Sequence, residues 1–314
     1  MNRNLYVGRV LLVLVPFLTV ASEAQAVAGA NRVFVAAKSG NDSNACNSVS
    51  TPCQTFAGAY AQVVAGGEII VLESGGYGPV TITGAVTIDA PAGVTAFIHP
   101  PSGDAITVSA GSSDVVTLRG LTLNGGTGNG ITVNSVGTLN VENCFITGFN
   151  NSGINMLSGG RLNVKGTDIT ACNLYGVFIA NTTGLVLASI DHCHLDGNSN
   201  GFWSNGSSTT TATFTTANNN GNEGWVSGGA GSSGAAVLNL EFCTGSDNGY
   251  GGVAGGSTNA GSVVRYSNCV FANNGLFGVQ RVGTGTFETR GNNTITGNPS
   301  GNTSGGAIGS FSPM

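Results

Sequence analysis

LNVENCFITGFNNSGINM, residues 139–156, returns as LNVKGTDITACNLYGVFI at residues 162–179. Each copy opens on a strand-like stretch with apolar residues at alternate positions, Leu139 and Val141 in one and Leu162 and Val164 in the other. Each closes on a glycine followed by an apolar residue. Outward from these two copies, the glycine-apolar pair recurs at Gly130-Ile131, Gly153-Ile154, Gly176-Val177, Gly201-Phe202, Gly224-Trp225, Gly252-Val253 and Gly278-Val279, in steps of 23, 23, 25, 23, 28 and 26 residues. A repeat of this size, made of short strands without helices, marks a β-solenoid, whose units bury their apolar faces against their neighbours.

Composition agrees with that reading. Of 314 residues 52 are glycine, 8% are charged and 40% are hydrophobic. The apolar residues alternate with period two, which calls for many short strands joined by tight turns. Upstream, Val86-Thr87-Ile88-Asp89 aligns with Val116-Thr117-Leu118-Arg119. Likewise Ala105-Ile106-Thr107-Val108 aligns with Gly130-Ile131-Thr132-Val133. Roughly nine coils fit between Val80 and Asn298 at this period. The expected organisation is a signal peptide over 1–26, an amino-terminal cap and first strand over 27–79, coils over 80–298 and a tail over 299–314.

The ends are read from different signals. Arg3 and Arg9 precede an apolar run of eleven residues, 10–20, too short to span a bilayer, and Ala24-Gln25-Ala26 suits signal cleavage before Val27. The expected location is therefore secreted or periplasmic, with no membrane span after cleavage. In the cap, Val33-Phe34-Val35 reads as a strand. A short helix is expected to begin at Thr51-Pro52, to place Phe56, Ala59, Tyr60 and Val63 on one face, and to end at Gly66-Gly67. Such a helix would cover the open end of the solenoid. Cys46 and Cys53 bracket a small loop, and oxidising conditions after export would join them. Residues 299–314 read as a loose cover or a frayed tail.

Four segments carry a resemblance: Ser39-Gly40-Asn41-Asp42, Pro52-Cys53-Gln54-Thr55-Phe56, Gly66-Gly67-Glu68-Ile69 and Gly76-Tyr77-Gly78-Pro79-Val80-Thr81-Ile82. Together they resemble the amino-terminal cap of exported bacterial right-handed parallel β-helix proteins of the pectin-lyase-like fold group. The resemblance implies an all-β, right-handed parallel β-helix. It says little about activity, because the group includes lyases, hydrolases, epimerases and adhesins. The chain lacks the paired Asp residues and Gly-His-Gly of polygalacturonase-like hydrolases, the Asp-Pro-His of alginate-epimerase-like sites, and the arginine context of pectate lyases.

Aligned coils place Asp89, Arg119, Glu142, Lys165 and Asp191 in one outward column of alternating sign. Rungs of a parallel sheet lie about 4.8 Å apart, so alternation sets register through ion pairs. The same residues suit a polysaccharide lyase: Arg119 and Lys165 to neutralise a substrate carboxylate and take a proton, with Glu142 and Asp191 holding calcium. His194 lies beside the column on the rung after Asp168, with His192 and Asp196 close by, and would serve as acid or base. No zinc-type spacing is present, and no metal site is assigned. Phe178 and Trp203 follow inward positions of adjacent coils and should project outward as sugar-stacking rings. Cys144, Cys193, Cys243 and Cys269 share an inward corner, with Thr167 and Ala217 in the coils between, and read as stacked thiols. The Asn-Gly pairs Asn129-Gly130, Asn205-Gly206, Asn220-Gly221, Asn248-Gly249 and Asn274-Gly275 read as positive-φ corners whose amides stack into a ladder.

Removal of the signal takes Arg3, Arg9 and Glu23 and leaves 8 basic and 14 acidic residues. That balance argues against nucleic acid as a partner. A low-charge polar exterior on long flat sheets suits a polysaccharide. The leading expectation is a polysaccharide-facing protein with no assignable catalytic motif. The alternatives are a lyase centred on the charged column, for which calcium is the expected cofactor, and a non-catalytic adhesion or structural protein.

Overall fold

The computed structural model describes residues 29–228, 234–255 and 261–311. The signal-like segment over 1–26 and the terminal Ser312-Pro313-Met314 lie outside the described residues. Each strand pairs in parallel with its copies one coil before and after, which generates a twelve-stranded sheet, a ten-stranded sheet and a third, narrower sheet. The third begins with five strands, continues through the isolated bridges of Asp168, His194, Thr216, Thr244 and Val270, and ends with two further strands. The fold is all-β, a right-handed parallel β-helix, and the helix Phe56–Gln62 is the sole helix among the described residues.

The repeat that decides the fold also builds its core. Ile131, Ile154, Val177, Phe202, Trp225, Val253 and Val279 pair rung by rung in one inward column, and all are fully buried. The glycine before each is required by close approach between coils. A Cβ on Gly153 would lie 2.7 Å from the Gly176 carbonyl oxygen, and one on Gly176 2.5 Å from that of Gly201. Those distances are below any van der Waals contact, so a side chain there would push the rungs apart.

Sharp corners are supplied by two columns of left-handed residues. The first runs Gly120, Asn143, Gly166, His192, Phe214, Phe242, Asn268 and Gly291; the second runs Gly125, Gly148, Ala171, Gly197, Asn219, Asp247, Asn273 and Gly297. The five Asn-Gly pairs are in neither column, which corrects that expectation. Their left-handed duty falls one residue earlier, at Asn219, Asp247 and Asn273. The asparagines of three pairs instead turn inward. Asn198, Asn220, Asn248, Asn274 and Asn298 are buried, and each side-chain oxygen accepts the backbone N–H of the preceding rung's equivalent residue at 2.9–3.1 Å, from Cys172 to Asn274. An interior amide ladder satisfies backbone donors that the corner takes out of the sheet.

The ends differ from expectation in two places. Thr51-Pro52 does not open the helix: the next residue, Cys53, bonds into the first strand through Phe34 and Ala36, and is joined by a disulfide to Cys46 with a Cα–Cα distance of 5.2 Å. Asp42 accepts from the Gln54 and Thr55 N–H groups and holds Thr55 extended, so Thr55 becomes the N-cap and the helix begins at Phe56. It ends at Gln62, and Gly66-Gly67 falls within the strand Val63–Val71. At the other end, residues 299–311 are no loose tail. Gly301–Ser304 pairs with Phe277–Arg281 and Gly309–Ser310 with Thr286–Thr289, so the coils continue past Asn298.

Candidate functional site

Two outward surfaces hold the residues singled out from the sequence. On the twelve-stranded sheet, Asp89, Arg119, Glu142, Lys165 and Asp191 do form one column, paired rung to rung. Arg119 donates from Nε to Glu142 at 2.9 Å and lies 3.6 Å from Asp89, and the hydrogen bond to Glu142 raises its pKa further above its ordinary value. The alternation therefore closes into ion pairs around Arg119. It does not close around Lys165, which has no carboxylate within 4 Å among the described residues; nor has Arg161, at the other end of the same strand, Gly160–Lys165. A groove of about 460 Å³ opens beside Asp89 and Arg119, under the turn 90–94.

Asp191 turns away from Lys165 toward its own neighbours. Thr213 Oγ1 donates to it at 2.7 Å and His192 Nδ1 lies at 2.8 Å. Burial pushes its carboxyl up, but these hydrogen bonds, with the charges of His192 and Lys165, outweigh burial and hold it below the usual carboxylate range. Round the corner, Thr216 Oγ1 donates to Asp196 at 2.7 Å, so the 2.9 Å contact of Thr216 with His194 Nδ1 is a bond donated by the imidazole. This fixes the Nδ1–H tautomer of His194 and leaves its Nε2 as the free acceptor. Asp168 and His194 occupy adjacent rungs, as aligned. Among the described residues, no three of the His, Cys, Asp or Glu side chains are grouped to share a metal ion.

The inward corner of thiols needs one correction. The column runs Cys144, Thr167, Cys193, Thr215, Cys243 and Cys269; Thr215, not Ala217, fills the coil between Cys193 and Cys243, because Asp191 pairs with Thr213 and Thr213 with Glu241. The thiols are free and buried. Burial pushes Cys144 up to about 12 and Cys193 to about 11. Cys144 and Cys193 are therefore protonated, serve packing and are poor nucleophiles, whereas a hydrogen bond from Cys243 lowers Cys269.

On the ten-stranded sheet, Phe178 and Trp203 lie in register on adjacent strands and project outward, half-buried. Sequence reasoning missed how they are supported. Tyr175 stacks on Phe178 with centroids 4.2 Å apart and meets Trp203 edge-on at 5.5 Å. Asn155 precedes Phe178 in the same outward column, and its side-chain oxygen is buried without a hydrogen-bond partner among the described residues; the indole N–H of Trp203 is in the same condition. Glu223 follows Tyr175 and Asn200 in the column just before the repeat glycine. Burial, opposed by a backbone hydrogen bond, raises its carboxyl above the ordinary range, and burial with the charge of Glu223 raises Tyr175. The shared column was visible in the alignment as Tyr175-Gly176, Asn200-Gly201 and Glu223-Gly224. A second missed feature is a ridge of stacked rings at the first corner: His192 on Phe214 at 5.0 Å, and Phe214 on Phe242 at 5.0 Å. Phe214 and Phe242 are 53% and 49% exposed and adopt φ of 48° and 53°, where the other coils use glycine, asparagine or, at His192, histidine. A bulky residue in that region costs about 1–3 kcal/mol.

Comparison with known proteins follows the fold. Among solved structures the chain is similar to a pectate lyase, Pel9A, with 15% identity over 85% of this chain and 71% of that one, at a TM-score of 0.55. It is also similar to an alginate lyase from Paenibacillus sp. str. FPU-7, with 14% identity over 89% of this chain and 100% of that one, at a TM-score of 0.52. Identities this low speak for fold alone. A search of curated proteins finds no match. A family model described as the right-handed β-helix region matches residues 69–239, more than half of the chain. With the repeat, the three parallel sheets and this match in agreement, the chain belongs to the right-handed β-helix family.

Proposed function

We propose that this protein is secreted or periplasmic and binds an extended polysaccharide on the outside of its β-helix, at the aromatic column of the ten-stranded sheet. The observation that carries the reading is the outward cluster of Tyr175, Phe178 and Trp203, packed ring against ring beside unpartnered polar atoms. Partly exposed rings offer apolar faces to pyranose C–H groups, and the polar atoms, once turned outward, offer hydrogen bonds to hydroxyls. The polysaccharide lyases among its structural neighbours, and the basic and apolar segment at 1–26, add support. Affinity gel electrophoresis of the chain from Val27, with a panel of neutral and acidic polymers in the gel, tests it. Retardation by at least one polymer, lost in Trp203→Ala, is the expected result. No retardation by any polymer would leave the adhesion or structural reading in its place.

A lyase is the second reading, favoured by Lys165 and Arg161, two cations on one strand without carboxylate partners. The calcium part of that reading does not fit the residues present. Glu142 and Asp191 are two rungs apart with Lys165 between them, and each already accepts hydrogen bonds, whereas calcium takes six to eight oxygens. Lys165 is left as the base, with Arg161 to offset substrate charge. Unsaturated sugar ends released from polygalacturonate or alginate by the wild type, and not by a folded Lys165→Ala variant, would establish it; no product from the wild type removes it.

A further inference from the structure

The aromatic site differs from the rest of the surface in charge. Of the Lys and Arg side chains within residues 29–311, Arg32, Arg119, Arg161, Lys165, Arg265 and Arg290 lie on or at the end of strands of the twelve-stranded sheet, and Lys38 lies in the cap. Arg281 alone belongs to the ten-stranded sheet. It is in register with Gly255, Ser227 and Ser204, three strands from Trp203, and donates to the Ala307 carbonyl at 3.2 Å. Among the described residues, no cation therefore faces the aromatic column at closer range. The charge that does face it is negative: Glu223, whose carboxylate forms no ion pair among the described residues.

The polar atoms narrow the ligand further. Asn155 Oδ1 is an acceptor and Trp203 Nε1 a donor, and neither has a partner among the described residues. Their residues stand on either side of Phe178 in one column, two rungs and hence about 9.6 Å apart along the sheet from backbone to backbone. Both residues are partly exposed although the two atoms are covered, so each atom reaches a ligand only after its side chain rotates. A hydroxyl both donates and accepts and so satisfies either atom. A uronic acid unit keeps hydroxyls that satisfy both atoms, and what sets it apart is its carboxylate, which would meet the like charge of Glu223 in a partly desolvated setting, where repulsion is poorly screened. The two-rung span between the residues exceeds one pyranose ring.

We infer that the column Asn155–Phe178–Trp203 takes uncharged sugar units, at least two in succession, with Glu223 accepting from their hydroxyls and turning uronic acids away. The inference rests on the glycan-binding reading above and adds its substrate class. It sets this chain apart from neighbours whose names carry pectate and alginate, both acidic polymers.

The test is affinity gel electrophoresis of the chain from Val27 with hydroxyethylcellulose, galactomannan or polygalacturonate in the gel, using the wild type, Trp203→Ala and Glu223→Gln, each checked for cooperative urea unfolding. The expected result is retardation of the wild type by a neutral polymer and not by polygalacturonate. Trp203→Ala weakens it tenfold or more. Glu223→Gln weakens it about fivefold and gains retardation by polygalacturonate. Wild-type retardation by polygalacturonate that disappears in Trp203→Ala overturns the neutral-sugar inference and leaves glycan binding standing. An unchanged Glu223→Gln variant overturns the role of Glu223. Absence of retardation by all three polymers overturns the inference and the reading beneath it together.

Discussion

The two outward surfaces are built from the same repeat, yet they treat their polar groups differently. On the twelve-stranded sheet most polar groups are spent on one another. Arg119 is held between Asp89 and Glu142, Asn163 donates to Asn140 and Asn140 to Thr117, and Asp191 is taken by Thr213 and His192. On the ten-stranded sheet an acceptor and a donor on either side of Phe178 are left without protein partners among the described residues, and the nearby Glu223 carboxylate has no ion pair there. Closed ladders fix register between coils, where a slip of one residue would turn a whole strand inside out. Unpartnered groups beside partly exposed rings do nothing for register. The sequence draws attention to the charged column because charge alternation is conspicuous, but the groups left without partners lie on the quieter face.

Four experiments would break or sharpen this contrast. The largest effect is expected from Trp203→Ala: glycan affinity should fall about thirtyfold, the ~2 kcal/mol of an aromatic anchor, while the urea unfolding transition stays cooperative. Equal affinity would remove the aromatic face from consideration. Arg119→Met should behave in the opposite way, lowering stability by about 1 kcal/mol through two partly exposed ion pairs and leaving glycan retention unaltered. If retention fell and stability did not, the charged column would be the binding face after all. Lys165→Ala, with no ion pair to lose, should change stability by less than about 0.5 kcal/mol.

The smallest expected effects are opposite slopes of stability against pH. Glu223 is raised above its unfolded value, so its contribution to stability is full below the ordinary carboxylate range and is lost as pH rises through the raised value. Asp191 is depressed, so its contribution is present above the ordinary range and is lost as pH falls through the depressed value. Urea midpoints taken across the acidic range for Glu223→Gln and Asp191→Asn, set against wild type, should show each slope removed separately. A Glu223→Gln profile that overlays the wild type would mean the carboxylate is as well solvated as any on the surface.

The architecture was legible because a solenoid writes its tertiary contacts into its period. Pairing of Leu139 with Leu162 and of Glu142 with both Arg119 and Lys165 follows from counting residues, since each coil meets only its neighbours. The same counting placed Phe178 beside Trp203 and Asp168 beside His194. It failed where coils differ in length at a corner: the irregular step between 193 and 243 misplaced Ala217 for Thr215, and the Asn-Gly pairs were assigned a left-handed backbone that belongs to the residue before.

By itself, then, the sequence determined which residues face in and which face out, and which share a column, because alternation along a strand and repetition between strands are both one-dimensional properties. Tertiary structure alone decided which outward groups find partners. Whether Arg119 reaches Glu142, whether Lys165 stays unpaired, whether Tyr175 leans onto Phe178 and whether Glu223 loses its water depend on side-chain rotamers and on the curvature of corners. Those are matters of ångströms in three dimensions, and a column assignment carries no information about them.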